Sequence, residues 1–255
     1  MDELKEKIQE LNTEIKIYKE QFTDFVEAAS HDLHAPLRKL SVLIERLISK
    51  YQLELDADAG QYINRIQTCI REMKGLIDGL TELARTDGEV AELELCDLTV
   101  IVKQELENMK EEIEEKDLRV QVGRLPGIWG IAFQYKQLFK NLFENAIKFS
   151  KKNNPAKIDV KAELLNDKEK KMFDLDGGKK YYRIDISDNG IGFNQDYAEK
   201  IFEPFVRLHP RSDYEGNGIG LSICKRIVIN HKGRIFAEGN ENGGSRFVLI
   251  LPETP

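Results

Sequence analysis

A histidine stands next to an aspartate in the segment SHDLHAPL, at His31 and Asp32. Ala29 belongs to an apolar helical stripe, so two steps of about 100° place His31 roughly 200° around the helix from that stripe, facing solvent. A neutral imidazole is a competent nucleophile toward phosphorus, and a neighbouring carboxylate can accept or orient its ring proton. Pro36 removes a backbone hydrogen bond further on and predicts a bend. Taken alone, these residues would also suit an ordinary surface histidine beside a kink, and the other histidines are assigned to surface or packing roles.

A polar stripe lies on a later segment with helical spacing, QLFKNLFENAIKFS. Asn141 and Asn145 are four residues apart and Lys148 follows three residues later, so the three side chains share one side of a helix. Amide oxygens are hard neutral ligands that suit Mg²⁺ when phosphates and water complete its coordination, and a lysine adds positive charge for the phosphates. A polar stripe on an amphipathic helix is also often merely solvated.

The segment SDNGIGF follows a strand pattern and contains an acidic residue beside two glycines. Gly190 and Gly192 would let the backbone approach a flat ligand closely, and Asp188 could accept a hydrogen bond from an amino group such as adenine N6. An Asp-Asn-Gly turn would look the same. Ser245 follows two glycines at the opening of the last strand pattern, where a hairpin turn is an equally good interpretation.

A second glycine cluster, GNGIGL, places Gly216, Gly218 and Gly220 just before and into a helical pattern. Free backbone N–H groups and the helix dipole at such a position can hold phosphates, although a glycine-rich loop alone is a loose signal. Between the two clusters, Phe202 and Phe205 are followed by a polar stretch. This composition predicts a lid over a binding site.

Two helical stripes precede these motifs and must position His31. The first has the spacing of a coiled-coil heptad, which a second copy of the chain would cover. Its apolar members are Leu4, Ile8, Leu11, Ile15, Tyr18, Phe22, Phe25 and Ala29. A stutter at positions 25, 29 and 33 coincides with the histidine. A second stripe from Ile63 to Ala84 predicts an antiparallel hairpin, so that two chains would form a four-helix bundle.

The remaining sequence mixes helical and strand patterns after a polar break near residues 86–92. Helices are expected near 98–116, 131–149 and 218–231, and strands at 157–164, 181–187, 233–238 and 245–251. This order predicts an α/β sandwich with one layer of helices and one sheet. The charged, glycine-ended stretch 166–180 is interpreted as an exposed hairpin loop.

Bulk composition limits the possible functions. A chain of 255 residues favours two domains, and 41% hydrophobic with 33% charged residues is typical of a folded globular protein. The net charge of -7 argues against nucleic-acid binding and against attraction to an anionic membrane. No apolar stretch approaches the roughly 20 residues that span a bilayer, so no direct membrane insertion and a cytoplasmic location are expected.

Taken together and in this order, the segments resemble the sensor histidine kinases of two-component signalling, over essentially the whole chain. SHDLHAPL looks like the phosphoacceptor box, NLFENAIKFS like the N box and DNGIGF like the first glycine box. FEPF is similar to the phenylalanine box, GNGIGL to the second glycine box and GGSRF to the last box. The Asp after the histidine and the Ala-Pro-Leu that follows look like the version found in phytochrome-like and PAS-linked kinases.

The resemblance implies an α+β fold with three parts. These are a coiled-coil signalling helix at 1–25, a dimerisation and histidine phosphotransfer hairpin at 26–86, and an ATP-binding domain at 93–255. The last part would be of the Bergerat type that type II topoisomerases and Hsp90 chaperones share. The implied activity is that of a homodimer that autophosphorylates on His31 and passes the phosphoryl group to an aspartate of a response regulator receiver domain. The upstream sensor domain of such kinases is absent from this chain.

The resemblance also implies roles for individual residues. His31 would be the phosphoacceptor and Asp32 its base, while ATP and Mg²⁺ would be the cofactors, with Asn141 and Asn145 as metal ligands. The implied nucleotide-binding residues are Asn141, Asn145, Lys148, Asp188, Gly190, Gly192, Phe202, Phe205, Gly216, Gly218, Gly220, Leu221 and Ser245.

One departure from the family and two competing functions bear on this interpretation. Many relatives have Thr, Asn or Gln where this chain has Ala35, a residue thought to hold the water that hydrolyses the regulator's aspartyl phosphate. Alanine offers no such hydrogen bond, so phosphatase activity by that route is not expected. An ATPase of the same superfamily would need a glutamate base where Asn141 stands. A non-catalytic dimeric scaffold would need none of the transfer residues, yet all of them are present.

Deleting one to three residues between Leu4 and Tyr18 should alter autophosphorylation, because such deletions shift the apolar seam relative to His31. Deleting whole heptads should preserve activity. Phosphorylation rates with labelled ATP across a deletion series check this expectation. Equal activity in dimers of every length would mean that the coiled coil serves dimerisation only.

Overall fold

The computed structural model describes two compact units, Met1–Glu89 and Val90–Pro255. The described residues are 2–51, 56–88, 92–151, 156–208, 214 and 216–255. Residues 209–213 of the predicted lid, which spans 201–214 and includes His209, lie outside them, as do residues 52–55 of the loop between the first two helices. In the part of the chain that is described, no helix combines the length and apolarity that crossing a bilayer requires.

The first unit is a hairpin of two long helices, α1 (Asp2–Tyr51) and α2 (Ala57–Gly88), and α1 continues through Pro36. Both predicted helices are confirmed. The buried apolar residues of the hairpin are Val26, Leu37, Ile63, Ile70 and Ala84. Most of the heptad stripe is exposed in the single chain, including Ile8, Leu11 and Phe25. Because a contiguous apolar stripe in water marks an interaction surface, its cover by a second copy stays a prediction.

The second unit combines a five-stranded sheet with a layer of helices, as predicted. In chain order its elements are β1 (Glu94–Asp97), α3 (Leu98–Asn108), α4 (Lys110–Glu115), β2 (Arg119–Val122), β3 (Gly127–Gly130), α5 (Ala132–Lys148), β4 (Lys157–Leu164), α6 (Asp167–Met172), β5 (Tyr181–Asp188), α7 (Gly220–Asn230), β6 (Arg234–Asn240) and β7 (Gly244–Pro252). Two short 3₁₀ turns, Gln195–Tyr197 and Lys200–Phe202, lie between β5 and α7.

The large sheet has the strand order β2-β4-β5-β7-β6, with β2 and β4 parallel and the other pairs antiparallel. Strands β1 and β3 form a separate antiparallel pair. In the centre of the sheet, Ile184 lies opposite Leu249 and Ile186 opposite Phe247, and all four side chains are buried. Helix α5 packs against both α3 and α7. The central strands and α5 therefore supply the core on which the ends of β5 and α7 rest.

The structure departs from the predicted elements in three ways. The helical stretch expected near 98–116 is divided into α3 and α4, because the backbone of Met109 leaves the helical conformation. The patterns do not predict β1, β2 and β3, because strands of four residues show too few alternations to stand out. The stretch 166–180 joins the antiparallel strands β4 and β5, as the predicted hairpin requires, but it is not a loop throughout, since it contains α6. Asn166 Oδ1 accepts from the backbone N–H of Glu169 at 3.0 Å, and the Asn166 N–H donates to Glu169 Oε2 at 2.9 Å. This capping box is a sequence signal that could have identified the helix.

His231 ties the end of α7 to the start of α5. Its Nε2 accepts a hydrogen bond from the Ile131 N–H at 2.9 Å, while Nδ1 lies 2.8 Å from the Ile227 carbonyl and must donate to it. The ring is 1% exposed and its centroid lies 4.3 Å from that of Tyr135. Burial lowers the pKa of His231, because desolvation disfavours the charged form more than the Ile227 bond favours it. The packing role predicted for this histidine is confirmed.

Stability of the second unit should therefore fall as the pH is lowered below about 6.5, the pKa of an unfolded histidine, because the unfolded chain then binds a proton that folded His231 refuses. The stabilisation that neutral His231 contributes is fully present above about pH 6.5. It is lost as the pH falls toward the lowered pKa that His231 has in the folded protein. His231→Phe should remove this pH dependence and cost about 1–3 kcal/mol at neutral pH, because the Ile131 N–H loses its acceptor.

Urea unfolding followed by the fluorescence of Trp129, the single tryptophan, reports on this unit. His31→Gln, a change at an exposed side chain, serves as the control and should keep the pH dependence of the parent. An unchanged slope of unfolding free energy against pH in His231→Phe would contradict the assignment.

Candidate functional site

His31 lies on the outer side of α1, where 78% of its side chain is exposed. The predicted solvent-facing position is confirmed. Its Nδ1 is 3.3 Å from Oδ1 of Asp32, which is itself exposed. An ionised carboxylate only accepts hydrogen bonds, so the contact favours the tautomer with the proton on Nδ1. In that tautomer Nε2 is unprotonated and keeps the lone pair that a nucleophile needs.

An open groove of about 390 Å³ runs beside His31 between α1 and α2. The residues that line it all have polar or charged side chains, and they are Glu27, Ser30, His31, His34, Arg38, Asp78, Thr81, Glu82 and Arg85. The set holds three carboxylates besides the guanidinium groups of Arg38 and Arg85, and Arg85 already pairs with Glu27 at 2.6 Å. The groove beside His31 is therefore lined by charges of both signs.

The polar stripe on α5 faces the second glycine cluster. Asn141 is 9% exposed, and its Nδ2 has no hydrogen-bond partner among the described residues. Its Oδ1 lies 3.6 Å from the point that a β-carbon on Gly220 would occupy, and Lys148 Nζ lies 2.8 Å from the corresponding point at Gly216. Asn145 is half-buried between them on the same helix. The structure thus brings together residues that the sequence separates by about 70 to 80 positions.

The donor set on α5 decides what kind of ion could bind. Within the described ranges, no group of three or more His, Cys, Asp or Glu side chains could hold a metal ion. Asn141 and Asn145 offer neutral amide oxygens, so a divalent cation there needs anionic ligands from elsewhere. The phosphates of a nucleotide supply such ligands. These residues therefore fit Mg²⁺ that arrives with a nucleotide and do not fit a resident metal.

Asp188 ends β5 in a half-buried position and is held by backbone donors. Its Oδ1 accepts from the N–H of Gly190 at 2.8 Å and from the N–H of Ser245 at 3.3 Å. Burial raises the pKa of Asp188, because desolvation outweighs these hydrogen bonds and the attraction of Lys151. A carboxylate that is fixed and partly desolvated in this way is a strong acceptor for an amino group of a ligand.

The glycines around Asp188 are required by close backbone approaches. A β-carbon on Gly190 would lie 2.5 Å from the Phe149 carbonyl oxygen. Gly192 has φ +66, and a β-carbon there would lie 1.9 Å from the carbonyl oxygen of Asn240. A side chain at either point would push the segment after β5 away from the residue that follows α5 or from the end of β6.

The segment before α7 is also shaped by a glycine. Gly218 has φ +73, and a β-carbon there would lie 2.8 Å from the Val206 carbonyl oxygen. Its own carbonyl accepts from the Phe205 N–H at 3.0 Å. Leu221, the second residue of α7, is half-buried.

The two phenylalanines of the predicted lid separate in the structure. Phe202 is buried, with its ring centroid 6.4 Å from that of Phe247 in an edge-on arrangement. Phe205 is 49% exposed and has φ +66, a left-handed conformation that is uncommon outside glycine. Phe202 therefore anchors this segment to the sheet, while Phe205 stands at the surface.

Three residues near the site were missed by the sequence analysis. The Phe149 carbonyl accepts from the Ile191 N–H at 3.0 Å, and the Phe149 ring lies 4.8 Å from that of Tyr214. The Arg207 guanidinium donates to the carbonyls of Tyr214 and Gly216, which ties the lid segment to the second glycine cluster. Phe149 directly follows the polar stripe and resembles an ordinary core residue, so only the fold reveals its place.

Comparison with known proteins identifies two domains in this chain. Residues 23–89 match the model of the His Kinase A (phospho-acceptor) domain, and residues 130–255 match that of the histidine kinase-, DNA gyrase B- and HSP90-like ATPase. The chain is 35% identical over 228 residues to the phytochrome-like protein Cph1 of Synechocystis sp., covering 89% of this chain and 29% of that protein. It is 30% identical over 230 residues to the adaptive-response sensory kinase SasA of a Synechococcus strain, covering 87% and 57%.

The fold has a counterpart among solved structures. Full-length ShkA in complex with AMPPNP aligns with a TM-score of 0.60 and 23% identity, covering 90% of this chain and 45% of that one. Fold and site define a kinase core in which a phospho-acceptor helical hairpin accompanies an ATP-binding domain. The chain belongs to the sensor histidine kinases. It spans less than a third of the length of the phytochrome that it matches.

Asp188→Asn should weaken adenine nucleotide binding by about 1–3 kcal/mol, because one accepting carboxylate oxygen is replaced by a donating NH₂ group. Calorimetric titration with ATP measures the change. Asp196→Asn, an equivalent change at an exposed position, is the matched control. In the parent protein, affinity should also decline with acidification at a higher pH than for an ordinary carboxyl group, since burial raises the pKa of Asp188. Equal ATP affinity in both variants would remove Asp188 from the binding site.

Proposed function

We propose that this chain catalyses ATP-dependent phosphorylation of its own His31 and transfers the phosphoryl group to an aspartate of a response regulator receiver domain. The observation that carries the proposal is an exposed imidazole paired with a carboxylate, in the same chain as a glycine-lined nucleotide site. A nucleotide site alone would serve many ATPases. An exposed histidine alone would have no source of a phosphoryl group.

In this proposal the second unit binds ATP through contacts of different chemistry at its two ends. Asp188 accepts a hydrogen bond from the adenine amino group, and Gly190 and Gly192 allow the base to approach the backbone. At the other end, the N–H groups of Gly216, Gly218 and Gly220 and the start of α7 bind phosphates. Ser245 holds Asp188 through its backbone N–H. The side chains of Phe202 and Phe205 shape the lid, and Leu221 lines the segment that enters α7.

Mg²⁺ would be held by the amide oxygens of Asn141 and Asn145 together with the nucleotide. When bound, the ion neutralises phosphate charge and makes the γ-phosphorus easier to attack. Lys148 adds a fixed positive charge to the same region. ShkA, a protein with this fold, forms a complex with AMPPNP, which supports the binding of an adenine nucleotide by this fold.

Transfer to His31 follows from its tautomer. Nε2 forms a bond to the γ-phosphorus while the bond from that phosphorus to the bridging oxygen of ADP breaks, and ADP leaves with the electron pair. The ring then carries a positive charge, which the Asp32 carboxylate stabilises through the Nδ1 proton. Onward transfer breaks the nitrogen–phosphorus bond as a carboxylate oxygen of the regulator attacks.

The organisation of the functional protein is part of the same proposal. Residues 1–25 form a coiled-coil signalling helix, residues 26–86 the phosphotransfer hairpin, and residues 93–255 the ATP-binding domain. The exposed apolar stripe of α1 pairs with that of a second copy to complete a four-helix bundle. Ala35 places a methyl group where a polar side chain would be needed to bind a hydrolytic water, so the proposed activity is that of a kinase without phosphatase function by that route.

His31→Gln should abolish formation of phosphoprotein and leave ATP affinity within a few-fold of the parent, because the nucleotide contacts belong to the other unit. Incubation with γ-labelled ATP, followed by acid and base treatment, measures phosphate that is acid-labile and base-stable. The companion variant Asn145→Ala should lose Mg²⁺-dependent ATP binding and labelling together. A His31→Gln protein that still carries base-stable phosphate, or that loses ATP affinity as fully as labelling, would refute this separation of roles.

A further inference from the structure

A ladder of polar contacts joins α1 to α2 along the segment that carries His31. Its rungs are Thr23 Oγ1 to the Ala84 carbonyl at 3.1 Å, Arg85 to Glu27 at 2.6 Å, Thr81 to Ser30 at 2.7 Å, His34 to Asp78 at 3.2 Å, and Lys74 to Ser41 at 3.2 Å. Along α1 the rungs are spaced by four, three, four and seven residues. This is a heptad-phase seam, so every rung falls on one side of the helix.

The rung between Ser30 and Thr81 differs from its neighbours in burial. Ser30 is 7% exposed, whereas the side chains of Glu27 and Arg85 are 41% and 58% exposed. An exposed ion pair contributes little to stability, because water and salt screen it. A buried hydroxyl that loses its hydrogen-bond partner lowers the stability of the folded state by the full cost of its desolvation. The Ser30–Thr81 rung therefore resists rotation of one helix against the other more strongly than the ion pairs do.

The direction of this hydrogen bond follows from the single proton of each hydroxyl group. Thr81 Oγ1 lies 2.9 Å from the Ile77 carbonyl, which can only accept. Thr81 therefore donates its proton to Ile77, and Ser30 supplies the proton of the bond between the helices. Loss of the Ser30 hydroxyl leaves Thr81 satisfied within its own helix. Loss of the Thr81 hydroxyl instead leaves a buried Ser30 without its acceptor.

Ser30 immediately precedes His31, so its bond acts at the point where the imidazole leaves the helix. His34, one turn after Ser30 on the same side of α1, adds the contact to Asp78. A rotation of about 20° would carry an atom about 6 Å from the helix axis through about 2 Å. Misplacement of a reacting group by about 1 Å can already cost roughly a hundredfold in rate.

We propose that Ser30 and Thr81 are positioning residues, whose hydrogen bond fixes the rotation of α1 at His31 and thereby the direction in which the imidazole meets its phosphoryl donor. The inference rests on the proposed kinase function and adds two residues to it. Neither side chain takes part in the transfer itself. Their effect is exerted through the backbone of α1.

Ser30→Ala and Thr81→Val should each lower kcat for autophosphorylation roughly ten- to a hundredfold and leave KM for ATP unchanged. Thr81→Ser keeps the hydroxyl and should retain the rate of the parent within a few-fold. Thr68→Val is the matched control, because the Thr68 hydroxyl lies on α2 but bonds to the Asn64 carbonyl of its own helix. Ser30→Ala is expected to fold, because it leaves no buried hydroxyl without a hydrogen-bond partner: Thr81 still bonds to the Ile77 carbonyl.

Phosphoramidate distinguishes positioning from a general loss of reactivity. This small donor reaches an exposed imidazole by diffusion, and its nitrogen–phosphorus bond breaks with release of ammonia as His31 is phosphorylated. Labelling by phosphoramidate should be equal in the parent, Ser30→Ala and Thr81→Val, while labelling by ATP falls in the two variants. Parent-like kcat with ATP in both variants, or a parallel loss with both donors, would overturn the proposal. If the parent itself gave no base-stable phosphate with ATP, the proposed function would fail instead.

Discussion

The burial of the Asp188 carboxylate at the end of β5 is the constraint on which the proposed nucleotide site depends. The carboxylate keeps its place because two backbone N–H groups, from Gly190 and Ser245, converge on one oxygen. That convergence requires β7 to begin against the end of β5, with no side chain between them. Gly244 meets this requirement, because a β-carbon there would lie 2.0 Å from the Asp188 carbonyl oxygen. The absence of a side chain at Gly244 thus allows the backbone contacts that fix the Asp188 carboxylate.

The two units solve opposite physical problems. The second unit encloses polar groups and must compensate each of them, as the bonds to Asp188 and the neutral His231 illustrate. Its unpaired Asn141 amide nitrogen is an exception that suits a ligand site. The first unit exposes its reactive imidazole to water and needs no cavity. What it needs is orientation, to which contacts between its two helices contribute, and the hydrogen bond between Ser30 and Thr81 is a part-buried polar contact among them.

Charge and tautomer are controlled by similar means in both units. At His31 a neighbouring carboxylate selects the proton position, and at His231 a carbonyl does so. The exposed ring can accept a positive charge during transfer, because Asp32 and water stabilise it. The buried ring of His231 stays neutral, because its hydrogen bond to the Ile227 carbonyl does not compensate the cost of desolvating a positive charge there. In the proposed function, histidine therefore acts as a nucleophile at position 31, while at position 231 it is a structural hydrogen-bond acceptor.

The sequence by itself determined the family, the helical hairpin, the long strands and the types of residue available for chemistry. These properties depend on periodicity and spacing within single elements, so that the exposed side of His31 and the shared stripe of Asn141 and Asn145 follow from helical geometry. The short strands β1, β2 and β3 and the helix α6 were not predicted, because an element of four to six residues shows too little periodicity in the sequence.

Only the tertiary structure decided which distant groups meet. Asp188 and Ser245 are 57 positions apart, Ile131 and His231 are 100 apart, and Ser30 and Thr81 are 51 apart. Hydrogen bonds of this kind, and the burial that shifts a pKa, depend on where separate elements pack against each other. Spacing along the chain carries no record of those distances.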